Sequence, residues 1–461
     1  MSSVSSGPKT SAIAPSLGPA AAPGGPRLGW LDALRGFAAL CVVFDHGSQL
    51  LLTSVRDVLY NVLNLGQYGV FVFFLVSGYI VPASLERKGS VRSFWTSRAF
   101  RLYPMYALAI VLAAIGYATR HGDLAGAEHH PLTAMASWLV MMPDMLTGPN
   151  VPNVTWTLSY EMLFYLLLAA LFTWRVHRHS GGYALGFAAG AVVLGGLLPM
   201  AALWHWTKHS SSGMFALDAT ADVLILGGIA FAVAGRGWTV RAGATVAALT
   251  ALVLATVNQS YPYPWSQCTI LALMFTGTLV YRAQQGQTGK LAAAWIAGAV
   301  LTLIIVAGLW HGVKEPHDHQ WKVQWVSSIV LAAVTFVIGL AVANRRIPRA
   351  VAWLGMISYS VYLLHPLVFN AYRSFSALHR HHSMTGQVLY FGGLLAVIIA
   401  ASALTYYTVE KPMQRLGRAL DRRLARSGSG ARYATGSGAS AAQALSTSSS
   451  SAVAGGSGGS P

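Results

Sequence analysis

The chain has 461 residues, 54% of them hydrophobic and only 10% charged, with a mean hydropathy of +0.51 and a formal net charge of +17. Soluble domains average about 25% charged residues, so the composition excludes a water-soluble globular protein and predicts an all-α polytopic membrane protein with about 10–12 transmembrane helices. The basic residues are scattered between apolar spans rather than gathered on one domain. That argues against nucleic acid as a partner and for a lipid bilayer.

Residues 1–27 are mostly Ser, Ala, Gly and Pro, a disordered lead with no cleavable signal peptide. Twelve apolar spans follow, at 30–52, 62–83, 102–119, 155–174, 183–206, 216–235, 241–257, 267–281, 291–310, 323–343, 350–371 and 386–408. Most reach the roughly 17–25 residues a bilayer requires, and the eighth falls short. A basic, helix-like run, EKPMQRLGRALDRRLARS, then passes after Gly428 into Ser/Gly/Ala low complexity. The expected organisation is a lead at 1–27, a membrane domain at 28–412 and a tail at 413–461.

Twelve spans put both ends on one side of the membrane. With the termini in the cytoplasm, 23 of the 31 lysines and arginines fall inside and 7 outside, with Arg35 within the first span. This is the positive-inside bias, and it predicts a multi-pass cell-membrane protein with cytoplasmic termini.

The first span, LDALRGFAALCVVFDH from Leu31 to His46, carries Asp32, Arg35, Asp45 and His46. Ionisable groups are expensive in hydrocarbon and mark function. Arg35 and His46 are eleven residues apart, three turns plus roughly 20°, so they share a face about 16 Å long. Asp32 lies one turn before Arg35 and can pair with it. A cation low on the helix and a titratable base high on the same stripe suit a long ligand with an anionic end and a reactive end. Cys41 lies about 140° around from His46, which argues against a Cys–His pair in this helix. Cys41 and Cys268 both fall within spans and form no disulfide framework.

Depth follows from about 1.5 Å per residue. Arg35 falls near the inner interface and His46 in the outer third. Glu161 lies about 9 Å below the outer end of the fourth span, and His365 about 24 Å up the eleventh. His46, Glu161 and His365 are thus expected in one layer, where Glu161 or Asp45 can orient the imidazole and raise its basicity. His365 reads equally as active-site support or as packing. At the inner face, Arg98 and Arg101 stand one turn apart before Tyr103-Pro104, and with Arg35 they suit phosphate groups. The competing reading is that these arginines only set topology and touch lipid headgroups. An acyl-CoA carries phosphates at one end and a thioester on a flexible arm, which suits the distance from Arg35 to His46.

Ser77-Gly78 suits close helix packing. Trp156 either lines an acceptor site or is an interfacial aromatic. Glu410, before Lys411-Pro412, is expected to end the last helix. His129, His130, His317, His319, His379, His381 and His382, with Glu128, Glu315 and Asp318 nearby, show no metal-ligand spacing and read as solvated loop residues, so no metal is expected.

The stretches LDALRGFAALCVVFDH, GVFVFFLVSGYIV, SRAFRLYPMY, TWTLSYEMLFYLL, ISYSVYLLHPLV and VEKP, in this order, resemble the successive motifs of the membrane acyltransferase-3 family over about residues 30 to 412. That family includes O-antigen and exopolysaccharide acetyltransferases and macrolide acyltransferases. The resemblance implies that 28–412 is a membrane acyltransferase domain and that Arg35 and His46 are the hallmark pair of its first span. It further implies that Arg98 and Arg101 bind acyl-CoA and that Glu161 is the acidic residue of the fourth-span motif. The chain departs from the family at Tyr160, where some members carry a second acidic residue, and in having more than ten spans. The tail has neither the length nor the composition of a soluble SGNH-type domain, which favours direct transfer by the membrane domain.

The expected reaction is acyl transfer, such as acetylation, from cytoplasmic acyl-CoA to a hydroxyl. Arg35, Arg98 and Arg101 hold the phosphates, Trp156, Ser77 and His365 line the substrate, and His46 with Glu161 or Asp45 acts as general base. An acyl-histidine intermediate is the alternative chemistry. The outer position of His46 points to a glycan or lipid-linked sugar as acceptor, and an intracellular metabolite such as a macrolide stays open. The rival class is a twelve-span transporter. Such proteins usually show repeated halves, and this sequence contains no second copy of the first-span motif.

Overall fold

The computed structural model describes residues 29–258, 263, 265–312, 318–375 and 383–425. The expected lead at 1–27, the Ser/Gly/Ala tail, and His317, His379, His381, His382 and Glu315 lie outside them. Among the described residues there are fifteen α-helices and no strand. They are α1 (Gly29–Leu50), α2 (Thr53–Tyr60), α3 (Leu65–Lys88), α4 (Val91–Ala118), α5 (Pro131–Leu139), α6 (Trp156–Thr173), α7 (Ser180–Leu194), α8 (Ala202–Thr207), α9 (Ser211–Ala234), α10 (Trp238–Val257), α11 (Ser266–Gln284), α12 (Lys290–His311), α13 (Asp318–Ala341), α14 (Arg349–Phe375) and α15 (Met384–Thr405).

Nine of these are long and apolar enough to cross a membrane, counting the turn before α6 and the extension of α15 with their helices. The protein is an all-α, multi-pass membrane protein. The three other helices on expected spans differ for separate reasons. α1 carries Asp32, Arg35 and Asp45, and α7 stops after 15 residues, where Gly195-Gly196 and Pro199 break the helix. The expected span 183–206 is therefore split between α7 and the short α8. α11 is buried without a break from Ser266 to Leu279. Its neighbours are other helices, so it can carry Gln267, Thr269 and Thr276 at little cost in apolarity.

Local signals set several ends. The Asn64 side chain accepts from the Gln67 N–H (2.9 Å) and starts α3, and Gly89, with φ of +61°, closes it in the left-handed conformation. Ser90 caps α4, which begins eleven residues before the expected span. Glu410 does not end the last helix. A π turn at Tyr406–Glu410 leads from α15 into a basic helical extension that continues to Ala425. The Glu410 side chain is buried and accepts from Ser360 Oγ (3.1 Å) and Gln414 Nε2 (3.0 Å). That carboxylate is held by side chains and is not capping a terminus.

Glycines bring the central helices into backbone contact. Gly36 lies against Leu354-Gly355 and Gly47 against Phe369, so α1 and α14 run parallel. Gly69 lies against Ala38 and Cys41, and the rings of Trp30 and Tyr79 meet at 5.3 Å, so α3 runs the other way. At the crossing of α3 with α11, a methyl on Gly78 would run into the Met274 carbonyl, and one on Gly277 into that of Leu75. Thr278 Oγ1 also donates to the Gly78 carbonyl (2.8 Å). Small residues permit such approach where lipid supplies no hydrophobic drive between helices. Below, the end of the bundle at which α1 begins is called proximal, and the opposite end distal.

Candidate active site

α1, α3, α6, α11, α13 and α14 surround two adjoining internal cavities. The distal one has a volume of about 420 Å³ and is lined by Asp45, His46 and Gln49 of α1, by Trp156 and Tyr362, and by Trp321, Gln324 and Trp325 of α13. The proximal one is much smaller, about 50 Å³, and is lined by Arg35, Phe73, Phe74, Ser77, Glu161 and Tyr359. Val70 and Tyr362 line both.

His46 and His365 meet between α1 and α14, with His46 Nδ1 3.0 Å from His365 Nε2. The parallel packing of these helices brings the two residues to one level. His365 Nδ1 lies 3.1 Å from the Val361 carbonyl, which only accepts, so Nδ1 carries the ring hydrogen. Nε2 of a neutral His365 is then an acceptor, and His46 Nδ1 must donate to it. The lone pair of His46 is thereby assigned to Nε2, which has no partner among the described residues. His365 is 0% exposed, boxed by Tyr362 and Phe369 at centroid distances of 5.9 and 6.1 Å. Pro366 follows it within α14, so the Tyr362 carbonyl lacks its i+4 N–H partner, in the turn where the imidazole sits.

The carboxylates expected to orient His46 are engaged elsewhere. Asp45 accepts from Gln49 Nε2 (3.2 Å) and from the Gly66 N–H at the start of α3, although it faces the distal cavity and its charge is felt at His46. Glu161 accepts from Ser77 Oγ (3.3 Å) and from the Tyr165 hydroxyl in the proximal cavity. The expected single layer thus divides. His46 and His365 pair with each other, and Glu161 sits with Arg35, because the descent of α6 carries residue 161 past the Tyr362 wall.

Arg35 has Arg101, Glu161, Asp32 and Glu410 within electrostatic reach, so it belongs to a mixed charge cluster inside the bundle. Arg98 is not an open phosphate ligand at the surface. It is 6% exposed, its guanidinium lies 5.4 and 5.0 Å from the Phe94 and Tyr165 ring centroids, and its Nε has no partner among the described residues. Arg101 is half-buried beside Arg35. Trp156 lines the distal cavity with its ring against Tyr160 (6.0 Å), and Ser77 lines the proximal one.

Sequence reasoning missed much of the distal wall. Trp321 and Trp325 stack at 5.6 Å, and Trp325 meets Trp265 edge-on at 4.7 Å. Gln324 between them donates to the Tyr60 carbonyl. The signal for this wall is the aromatic pair at i, i+4, which shares a helix face. Tyr359 and Tyr362 carried no comparable signal. Among the described residues, no group of three or more His, Cys, Asp or Glu side chains is placed to hold a metal.

These features define a multi-pass membrane protein with a polar chamber enclosed in its helix bundle. The chain belongs to the acyltransferase-3 family: the family model described as "Acyltransferase domain" matches residues 28–407. It is 34% identical over 149 residues to acyltransferase MdmB of Streptomyces mycarofaciens, covering 30% of this chain and 38% of that protein. It is 31% identical over 181 residues to nodulation protein 10 of Rhizobium leguminosarum bv. viciae (34% and 48%). A putative O-acetyltransferase of Staphylococcus aureus (strain COL) is 24% identical over 173 residues (34% and 26%). The chain spans less than half the length of each of these relatives. No solved structure matches it.

Proposed function

We propose that the protein is a membrane O-acyltransferase that moves an acyl group, such as acetyl, from acyl-CoA at the cytoplasmic, proximal face to a hydroxyl of a glycan or lipid-linked sugar admitted at the distal face. The observation that carries this reading is the lone pair on His46 Nε2, fixed by His365 and bordering the distal cavity. In the reaction, His46 Nε2 takes the proton of the acceptor hydroxyl as its oxygen attacks the thioester carbonyl carbon. Collapse of the tetrahedral intermediate breaks the C–S bond, and the imidazolium returns the proton to the departing CoA thiolate. Asp45, facing the same cavity, favours the imidazolium by its charge.

The donor arm enters past Arg101 and Arg35, with Ser77 and Glu161 lining its path. The proximal cavity is narrow, so passage requires Tyr362 or Val70 to turn aside. The acceptor class is supported by the distal lining. Trp156, Trp321 and Trp325 offer flat apolar faces to the C–H side of a sugar ring, while Gln49, Gln324 and Asp45 offer partners for its hydroxyls. The orientation is supported by the basic residues concentrated in the proximal connections.

The test is incubation of the purified protein in lipid nanodiscs with radiolabelled acetyl-CoA and candidate glycans, followed by mass analysis. One acetyl group gained per product with matching CoA release is expected. Flux of a solute across vesicles without CoA release would sink the reading in favour of a transporter.

A further inference from the structure

A further cavity lies outside the chamber. It opens at the proximal end, has a volume of about 890 Å³, and is bordered by the end of α3, the start of α4, the end of α6 with the turn after it, the end of α9 and the start of α10. We propose that this cavity binds the phosphates of a nucleotide, held by Arg92, Arg175, Arg178 and Arg241, and that it seats the nucleotide end of the acyl donor. The proposal rests on the acyl-CoA reading above and goes beyond it, since that reading rested on Arg35, Arg98 and Arg101.

The cavity holds unbalanced positive charge. The one carboxylate in its lining, Glu86, is already engaged by Arg282 Nη2 at 2.7 Å, with His177 Nε2 3.5 Å away. Burial, with Arg282 beside it, holds the His177 imidazole below its ordinary range, so it stays neutral at physiological pH. Among the described residues none of the four arginines is paired with a carboxylate. Arg92 donates only to the Leu424 carbonyl (3.3 Å), and Arg241 stacks over Trp174 (5.3 Å), whose Nε1–H is tied to Thr245 (2.9 Å).

The helix termini contribute both signs, since α3, α6 and α9 end at the cavity while two helices start there. α4 and α10 both start at the cavity, neither has an acidic residue in its first turn, and each places an arginine there. Helix N-termini carry partial positive charge, so cations are unfavourable at that position and an anion is favoured. Arg175, at a φ of +60°, is the left-handed residue that closes α6, with the Val176 N–H bonded to the Leu171 carbonyl (3.0 Å), in the turn that borders the cavity. Two helix starts that each carry an arginine at one cavity are offset by an anionic ligand.

Size and position agree with a nucleotide. The volume lies within the roughly 300–1,000 Å³ of small-molecule sites. Further along α4, Arg98 lies about 9 Å deeper and Arg101 stands beside Arg35, both on other faces of the helix than Arg92.

The test measures binding of adenosine 3′,5′-bisphosphate by calorimetry to the full-length protein in neutral phosphatidylcholine nanodiscs. Wild type is expected to bind, and the pair Arg178→Glu with Arg241→Glu to bind about tenfold or more weakly, with the acetyl-CoA KM raised by a similar factor. Arg178→Lys with Arg241→Lys keeps the charge and should restore most of the affinity, while an unchanged melting temperature in both pairs confirms the fold. Equal nucleotide affinity in wild type and the charge-reversed pair would overturn the site while leaving acyl-CoA as donor. Loss only of co-purifying phosphatidylglycerol, with nucleotide binding intact, would assign the cavity to lipid phosphate and overturn the proposal. Failure of wild type to bind the nucleotide while it still transfers from another acyl donor would remove acyl-CoA itself.

Discussion

The histidine pair at the distal cavity forms a closed hydrogen-bond chain, whereas the basic cavity outside the chamber leaves charge over. At the distal end each hydrogen of the Val361–His365–His46 chain has an acceptor, and the chain ends in a single exposed lone pair. At the proximal end four arginines face a cavity whose only carboxylate is already engaged. A satisfied buried network fixes geometry, because breaking any link leaves a polar group unpaired in a low-dielectric setting. Surplus charge at an open mouth fixes affinity instead, because its partner is the ligand. The two ends are therefore suited to different tasks, chemistry at one and capture at the other.

The strongest break in this comparison is His46→Ala, which removes the lone pair and should lower transfer by about 10²–10⁴-fold while the protein still inserts, read by radiolabel transfer and gel filtration. Near-normal activity in that variant would remove the assignment of His46 as base. His365→Ala leaves His46 in place but frees its tautomer. We expect kcat to fall about a hundredfold with little change in donor KM, and His365→Gln, whose amide oxygen can accept from His46 Nδ1, to recover part of the loss.

Arg282→Ala tests the other end. Arg282 is 1% exposed and bonded to Glu86, Ser180, Gln287 and the His177 carbonyl. Removing it strands a carboxylate and should cost about 3 kcal/mol of stability, measured by thermal melting. The released Glu86 charge should also weaken nucleotide binding, which a purely structural arginine would not do. The smallest expected effect is Trp156→Ala, which should raise acceptor KM about two- to tenfold and leave donor KM unchanged. A shift in donor KM instead would move Trp156 out of the acceptor wall.

Much of the bundle was legible from hydropathy, since eleven of the twelve expected spans each fall on one helix. The break in the fifth was also readable, because Gly195-Gly196 and Pro199 were in view inside a run that otherwise looked continuous. Glu410 was misread because a Lys-Pro pair suggests a helix end, while a π turn instead let the helix carry that carboxylate inward. The basic cavity was illegible as a site. Its arginines belong to three connections that hydropathy marks only as inside, and spacing within one helix says nothing about five segments meeting.

The sequence by itself determined the spans, the alignment of Arg35 with His46 on one stripe, and the family to which those motifs belong. Those properties depend on periodicity along a single helix and on transfer into hydrocarbon, both local. Only the tertiary structure decided that His365, and neither Glu161 nor Asp45, meets His46, and that Arg98 is buried between aromatic rings while four other arginines face open space. Rotation and depth of each helix are set by backbone contact at Gly36, Gly78, Gly277 and Gly355, and such contacts join residues hundreds of positions apart.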